Sequence, residues 1–156
     1  VLDTSFFHVG IVVPRLEEAL DRLGTTLGLR WGGVTETELG LQAPDGARTT
    51  VPLRMVYSVA PPYVEVIEEV VGSPWECNPY SNLHHIGFWA DGLAASHDHL
   101  LGSGCPLEVA GYAGDVVPAV YAYHRDPLGV RVELVDAAVR PLMEAALASG
   151  RALGAE

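Results

Sequence analysis

The chain has 156 residues, of which 49% are apolar and 19% charged. That is one domain's length of chain with enough apolar matter for a core, and it excludes a disordered chain. Twenty acidic residues against nine basic ones leave a formal charge of −11, which argues against nucleic acid or an anionic membrane surface as a partner.

The first predicted element is a strand over residues 6–13, a β-branched apolar run closed by Pro14. Leu16, Ala19, Leu20, Leu23 and Leu27 have helical spacing, and Gly28 ends that helix. Residues 29–37 read as a second strand, and residues 39–48, with Gly40, Pro44, Asp45 and Gly46, as a loop or hairpin tip. Strands over 50–59 and 63–71 follow, separated by Pro61 and Pro62.

The same order then recurs. A strand over 83–90 leads to a short helix over 93–101, and strands follow over 107–112, 117–124 and 130–135. A tight turn of Asp126, Pro127, Leu128 and Gly129 joins the last two. An amphipathic helix over 137–147 closes the chain. The organisation is βαβββ twice, over modules 5–78 and 81–136 of a single domain, with a C-terminal helix and tail over 137–156. The repeat is also visible in residues. Phe7-His8-Val9-Gly10-Ile11 corresponds to His84-His85-Ile86-Gly87-Phe88, and Tyr63-Val64-Glu65-Val66-Ile67 to Arg131-Val132-Glu133-Leu134-Val135.

Three lysine-dependent chemistries are excluded outright. All nine basic residues are Arg, so Schiff-base, pyridoxal-phosphate and P-loop lysine chemistry have no residue to use. Cys77 and Cys105 form no zinc-ligand spacing and read as reduced thiols. No apolar run is long enough to span a bilayer, and no basic-then-apolar leader opens the chain. The expected location is therefore cytoplasmic.

Strands buried on both faces should be apolar throughout. His8, Glu65, His85 and Glu133 break that rule at corresponding places in the two modules. A single buried His is usually a hydrogen-bonded core residue, and a Glu on an edge strand is ordinary. Four such breaks that obey an internal repeat point to one shared site. Two imidazoles and two carboxylates suit a divalent transition metal.

These residues, carried by the segments FFHVGIVV, YVEVIE, LHHIGFWADGL and HRDPLGVRVELVD, resemble the vicinal oxygen chelate superfamily. That superfamily includes glyoxalase I, methylmalonyl-CoA epimerase, extradiol dioxygenases and fosfomycin- and bleomycin-resistance proteins. The resemblance spans roughly residues 6–136 and lies nearest the glyoxalase and epimerase branches. It implies an α+β fold, with the paired βαβββ modules curling into an open, curved mixed sheet around a metal. The family's ligand positions fall on His8, Glu65, His85 and Glu133, holding one divalent ion (Zn, Ni, Co, Mn or Fe). Glu133 and Glu65 are the base candidates, with Glu36 and Glu38 secondary.

His84 should point away from the site, because side chains alternate along a strand. His97 and His99 are expected on the solvated face of the second helix. Arg54, Tyr57, Tyr121, Tyr123 and His124 are candidates for the substrate pocket. Tyr121 and Tyr123 share one strand face and His124 the other, so only one of these sets can face a cavity.

The implied activity is metal-dependent proton transfer α to a carbonyl, by a lyase, isomerase or epimerase acting on a small molecule. An iron-dependent extradiol dioxygenase is the first alternative, with His8, His85 and Glu133 as its triad. An antibiotic-binding protein or a fosfomycin-type thiol transferase is the second. A homodimer is the expected assembly.

Overall fold

The opening apolar run forms β1 (Thr4–Val13), and its side chains alternate between two environments. The computed structural model describes residues 4–154. By the density of internal contacts it falls into two units. One holds His8–Glu38 and Pro52–His84 together with the chain from Pro141 onward; the other holds Leu39–Val51 and His85–Arg140 with the start of β1.

In the first of these, β1 pairs in parallel with β4 (Tyr63–Glu68), which pairs antiparallel with β3 (Arg48–Tyr57). Between β1 and β3 the chain forms α1 (Leu16–Leu27), ended by Gly28 at φ 70°, a left-handed conformation that favours glycine. One sheet face packs on that helix. Val13, Leu16, Val56 and Val66 form a fully buried cluster, joined by Ile11, Val64, Leu20 and Leu23. Each such side chain contributes about 1.5–3 kcal/mol through burial. On strands, the residues between these point the other way. His8, Tyr57 and Glu65 are those residues.

The second unit repeats this arrangement. β5 (Leu83–Ala90) pairs in parallel with β8 (Arg131–Asp136), and β8 pairs antiparallel with β7 (Tyr121–Arg125), itself next to β6 (Leu107–Ala110). α2 (Leu93–Gly102) covers one face, where Ala90, Leu93 and Leu134 are buried with Leu100 and Val132 against them. The turn into β8 has the expected form. Gly129 has φ 90°, its amide donates to Asp126 O, and the Asp126 carboxylate accepts from Leu128 N.

Several expectations need correction. The hydrogen-bonded strand order β1-β4-β3-β2-β6-β7-β8-β5 closes on itself, so the sheet is closed and not open. Closure satisfies the backbone groups that two free edge strands would leave unpaired. The second strand starts late, as β2 (Thr35–Gln42). Residues 32–35 bind the C-terminal segment instead: Gly33 N donates to Gly150 O, and Leu153 N donates to the Thr35 hydroxyl. A Cβ at Gly33 would stand 2.5 Å from Ala152 N, so only glycine permits the approach. The expected 39–48 loop shrinks to a tight turn about Pro44, Asp45 and Gly46, with strand on both sides. Ala43 N bonds Ala47 O, and the Asp45 carboxylate accepts from Ala47 N, which closes the hairpin within five residues.

The strand expected over 117–124 begins only at Tyr121, because Val120 has φ 68° and breaks the extended run. The last helix, α3 (Arg140–Ser149), is preceded by a 3-10 turn (Ala137–Val139) whose first free amide is capped by Asp136. Among the described residues, no helix is long and apolar enough to cross a membrane.

Candidate metal centre

In the first unit, β1 and β4 set the pair His8 and Glu65. The parallel register places Gly10 opposite Glu65, and His8 lies two residues before that glycine on the same face. His8 is completely buried and Glu65 nearly so, with His8 Nε2 3.4 Å from Glu65 Oε2. Tyr57 stands opposite Glu65 on β3, and its ring meets the His8 imidazole edge to face at 5.3 Å.

The second unit reproduces this group residue for residue. Gly87 stands opposite Glu133, with His85 two residues earlier. His85 Nε2 lies 3.4 Å from Glu133 Oε2, and both residues are buried. Tyr123 stands opposite Glu133 on β7 and packs against the His85 ring at 5.1 Å.

The donor sets fit a divalent metal. A separation of 3.4 Å exceeds the roughly 2.7–3.2 Å of an ordinary N–H···O hydrogen bond. Two ligand atoms each about 2.1 Å from one ion in tetrahedral geometry stand about 3.4 Å apart. Both halves show that spacing.

The remaining candidates go elsewhere. Arg54 lies on the α1 side of β3, where its guanidinium binds the carboxylates of Glu17, Glu36 and Glu68. Glu68 also accepts from Leu16 N at the start of α1. Glu36 and Glu38 are exposed. With Arg54 they line an open groove of about 730 Å³ that also includes Pro52, Leu53, Glu68 and Val71. Tyr121 shares the Tyr123 face, and its hydroxyl donates to Gly40 O at 3.2 Å. Burial, and then the charge of Glu133, push its phenol well above the usual range.

His124 faces α2. Its Nδ1 bonds Cys105 O at 2.9 Å, and its Nε2 lies 3.1 Å from His97 Nδ1. His97 is therefore half-buried against a second histidine and not solvated as expected, while His99 is exposed. His84 turns from the site, its Nε2 2.7 Å from Pro74 O.

Sequence reasoning did not find that Tyr57 and Tyr123 are equivalent, each standing opposite its half's glutamate. Their spacing to that glutamate differs between the halves, so the repeat conceals the match. It also overlooked Arg131, which lies two residues before Glu133 and ion-pairs with Glu108.

Residues 7–123 match the glyoxalase/bleomycin resistance protein/dioxygenase superfamily. The chain belongs to that superfamily. No curated protein matches it. Among solved structures, a variant methylmalonyl-CoA epimerase of Streptomyces coelicolor bound to 2-nitronate-propionyl-CoA is similar at 17% identity, with 87% of this chain and 95% of that chain covered and a TM-score of 0.60. A hypothetical protein of Bacillus halodurans gives 15% identity, 86% and 94% coverage and a TM-score of 0.59. The methylmalonyl-CoA epimerase of Mycobacterium tuberculosis gives 17%, 84% and 86%, and 0.53. At these identities the likeness is one of fold.

Proposed function

We propose that this superfamily member catalyses metal-dependent proton transfer α to a carbonyl, as a lyase, isomerase or epimerase of the glyoxalase or epimerase kind. The observation that carries this reading is the duplicated His and Glu pair, 3.4 Å apart in each half. His8, Glu65, His85 and Glu133 would hold one divalent ion, drawn from Zn, Ni, Co, Mn and Fe. When bound, that ion supplies Lewis acidity toward a carbonyl of the substrate.

The chain's own residues do the rest. His8 and His85, locked by burial and by the rings of Tyr57 and Tyr123, hold their nitrogens in fixed directions. Glu133 takes the α-proton, and Glu65 is its counterpart in the other half. An epimerase needs a base on each face of the substrate carbon, and a duplicated carboxylate supplies two. Both glutamates are more than nine-tenths buried, so bulk water has little access to the proton in transit. The reading includes a homodimer.

Metal analysis of protein purified without added metal, followed by solvent-deuterium exchange into 2-oxo acids and acyl thioesters, tests the reading. Stoichiometric metal and exchange into one substrate class are expected. A second reading takes His8, His85 and Glu133 as a two-histidine, one-carboxylate set suited to iron(II). Oxygen consumption with ring cleavage of a catechol, and no proton exchange, would establish that reading and displace the first.

A further inference from the structure

Each half sets a tyrosine against its histidine, but the residue behind that tyrosine differs. Two residues before Tyr123 on β7 stands Tyr121; two before Tyr57 on β3 stands Met55. The registers show that these places correspond. Tyr121 lies opposite Val135, and Met55 lies opposite Ile67, each two residues beyond its half's glutamate. Residues two apart on a strand share a face, so Tyr121 stands on the Tyr123 side of β7.

Tyr121 closes a chain of contacts that lies wholly within the second unit. Its hydroxyl donates to Gly40 O on β2 at 3.2 Å. Its ring meets the Tyr123 ring edge to face, with centroids 5.8 Å apart. The Tyr123 ring meets the His85 ring in the same way at 5.1 Å, and His85 Nε2 lies 3.4 Å from Glu133 Oε2. Edge-to-face ring pairs have a preferred orientation, so each ring limits the rotation of the next. The far end of the chain is fixed by backbone. Gly111 N donates to Tyr121 O, and a Cβ at Gly111 would stand 2.7 Å from the Tyr121 ring, so a glycine is needed to seat that ring. Tyr121 is buried, and burial, then the charge of Glu133, keep its phenol protonated. The hydroxyl therefore remains a donor to Gly40 O across the neutral range.

We propose that Tyr121 is a positioning residue of the metal centre: anchored to Gly40 O, it holds the Tyr123 ring against His85 and so sets the direction in which the His85 nitrogen meets a metal. This rests on the metal reading above, and adds to it that the two histidines are held unequally. Met55, at the corresponding place in the first half, is an unbranched, flexible thioether with neither a ring nor a hydroxyl to anchor. Losing a group that directly orients a ligating imidazole costs about 10–100-fold in metal affinity. Tyr121 acts through one further ring, so the low end of that range is expected.

The test uses the full chain, cobalt(II) as the probe metal, and variants at the two corresponding places. Tyr121→Phe keeps the ring and loses the anchor, Tyr121→Leu loses both, and Met55→Leu changes the other half. Cobalt affinity should fall about tenfold in Tyr121→Phe and further in Tyr121→Leu, with the visible cobalt absorption bands shifted. Met55→Leu should stay at wild type in both. Imidazole nitrogen resonances of the metal-free protein give an independent readout. Those of His85, assigned with His85→Gln, should move in Tyr121→Phe while those of His8 stay. Unchanged His85 resonances in Tyr121→Phe would overturn the inference, as would wild-type cobalt affinity and bands in that variant or an equal loss from Met55→Leu. Wild type that binds no cobalt removes the metal reading, and the positioning of the His85 ring then stands or falls on the resonances alone.

Discussion

Gly10 stands directly across the parallel β1–β4 ladder from Glu65. The position beside the carboxylate thus carries no side chain, and His8, one pleat earlier, reaches Glu65 at 3.4 Å. Gly87 and Glu133 repeat the relationship, with His85 in the place of His8. A motif of His, one residue and Gly on one strand, facing a Glu on its parallel neighbour, is the unit that builds the site twice.

Glu133→Gln should therefore keep the fold and lose function. The amide is isosteric, so the melting temperature should stay within a few degrees of wild type. Metal affinity should fall by about ten- to a hundredfold with one anionic ligand gone, and turnover by about 10²–10⁴, the usual worth of a general base. Glu65→Gln should cost less if Glu133 is the principal base, and the same if the two act on opposite faces of one carbon. Exchange of the α-proton at the wild-type rate in Glu133→Gln would remove Glu133 from the catalytic role.

The sequence shows this unit because the repeat is carried by residues that are costly to bury. His8, Glu65, His85 and Glu133 stand out in apolar strands, and turn chemistry at Gly28 and Gly129 marks element ends correctly. What is hidden depends on distant chain. Residues 29–34 look like a strand, but Gly32 and Gly33 admit the C-terminal segment, which sequence cannot place beside them. His124 is ambiguous in sequence because its face is decided by His97 and by Cys105 O, both set by the packing of α2. Sheet closure is equally invisible, since it depends on which strand edges meet.

Arg54 shows how far a charge can mislead. It is near the candidate residues in sequence, yet it faces α1 and is held by three carboxylates, which raise its already high pKa further. Arg54→Gln should leave metal binding and turnover at wild-type values. Its side chain is 34% exposed, so the ion pairs are screened and Tm should drop by no more than about 3 °C. A large loss of substrate affinity in this variant would return Arg54 to the binding site.

Val120 is the one described non-glycine residue with positive φ, at 68°. It forms a tight turn in which Tyr121 N bonds Ala119 O, and its own carbonyl accepts from Asp136 N. A β-branched residue in that conformation costs about 1–3 kcal/mol. Val120 is 51% exposed, so little burial is lost on removing its side chain. Val120→Gly should thus be neutral to stabilising by about 1 kcal/mol, after the entropy cost of glycine. The opposite holds at Gly111, where a Cβ would stand 2.3 Å from Ala119 O and 2.7 Å from the Tyr121 ring. Gly111→Ala should destabilise by about 1–3 kcal/mol. Denaturant midpoints of the two variants check both signs, and a Val120→Gly protein less stable than wild type would show that the valine side chain is needed.

The His97–His124 pair predicts how stability depends on pH. A carbonyl can only accept, so His124 Nδ1 carries the proton bonded to Cys105 O, and neutral Nε2 accepts from His97 Nδ1. Protonating His124 would reverse this bond, with His124 Nε2 donating and His97 moving its own proton from Nδ1 to Nε2. Burial, with a smaller contribution from His97, lowers the His124 pKa, although the Cys105 carbonyl and Glu108 pull it upward. Because the folded state has the lower pKa, the unfolded chain binds more protons between the folded value and the ordinary value of about 6.5. Stability should therefore be flat above about pH 7 and decline as pH falls below 6.5. The decline should level off only below the folded pKa. Asn at this position can keep the N–H bond to Cys105 O without a titrating ring. His124→Asn should flatten the slope of Tm between pH 7 and 5.5 while leaving metal binding at pH 7.5 intact, because the residue lies on the helix side of β7. An unchanged slope in that variant would assign the pH dependence to other groups.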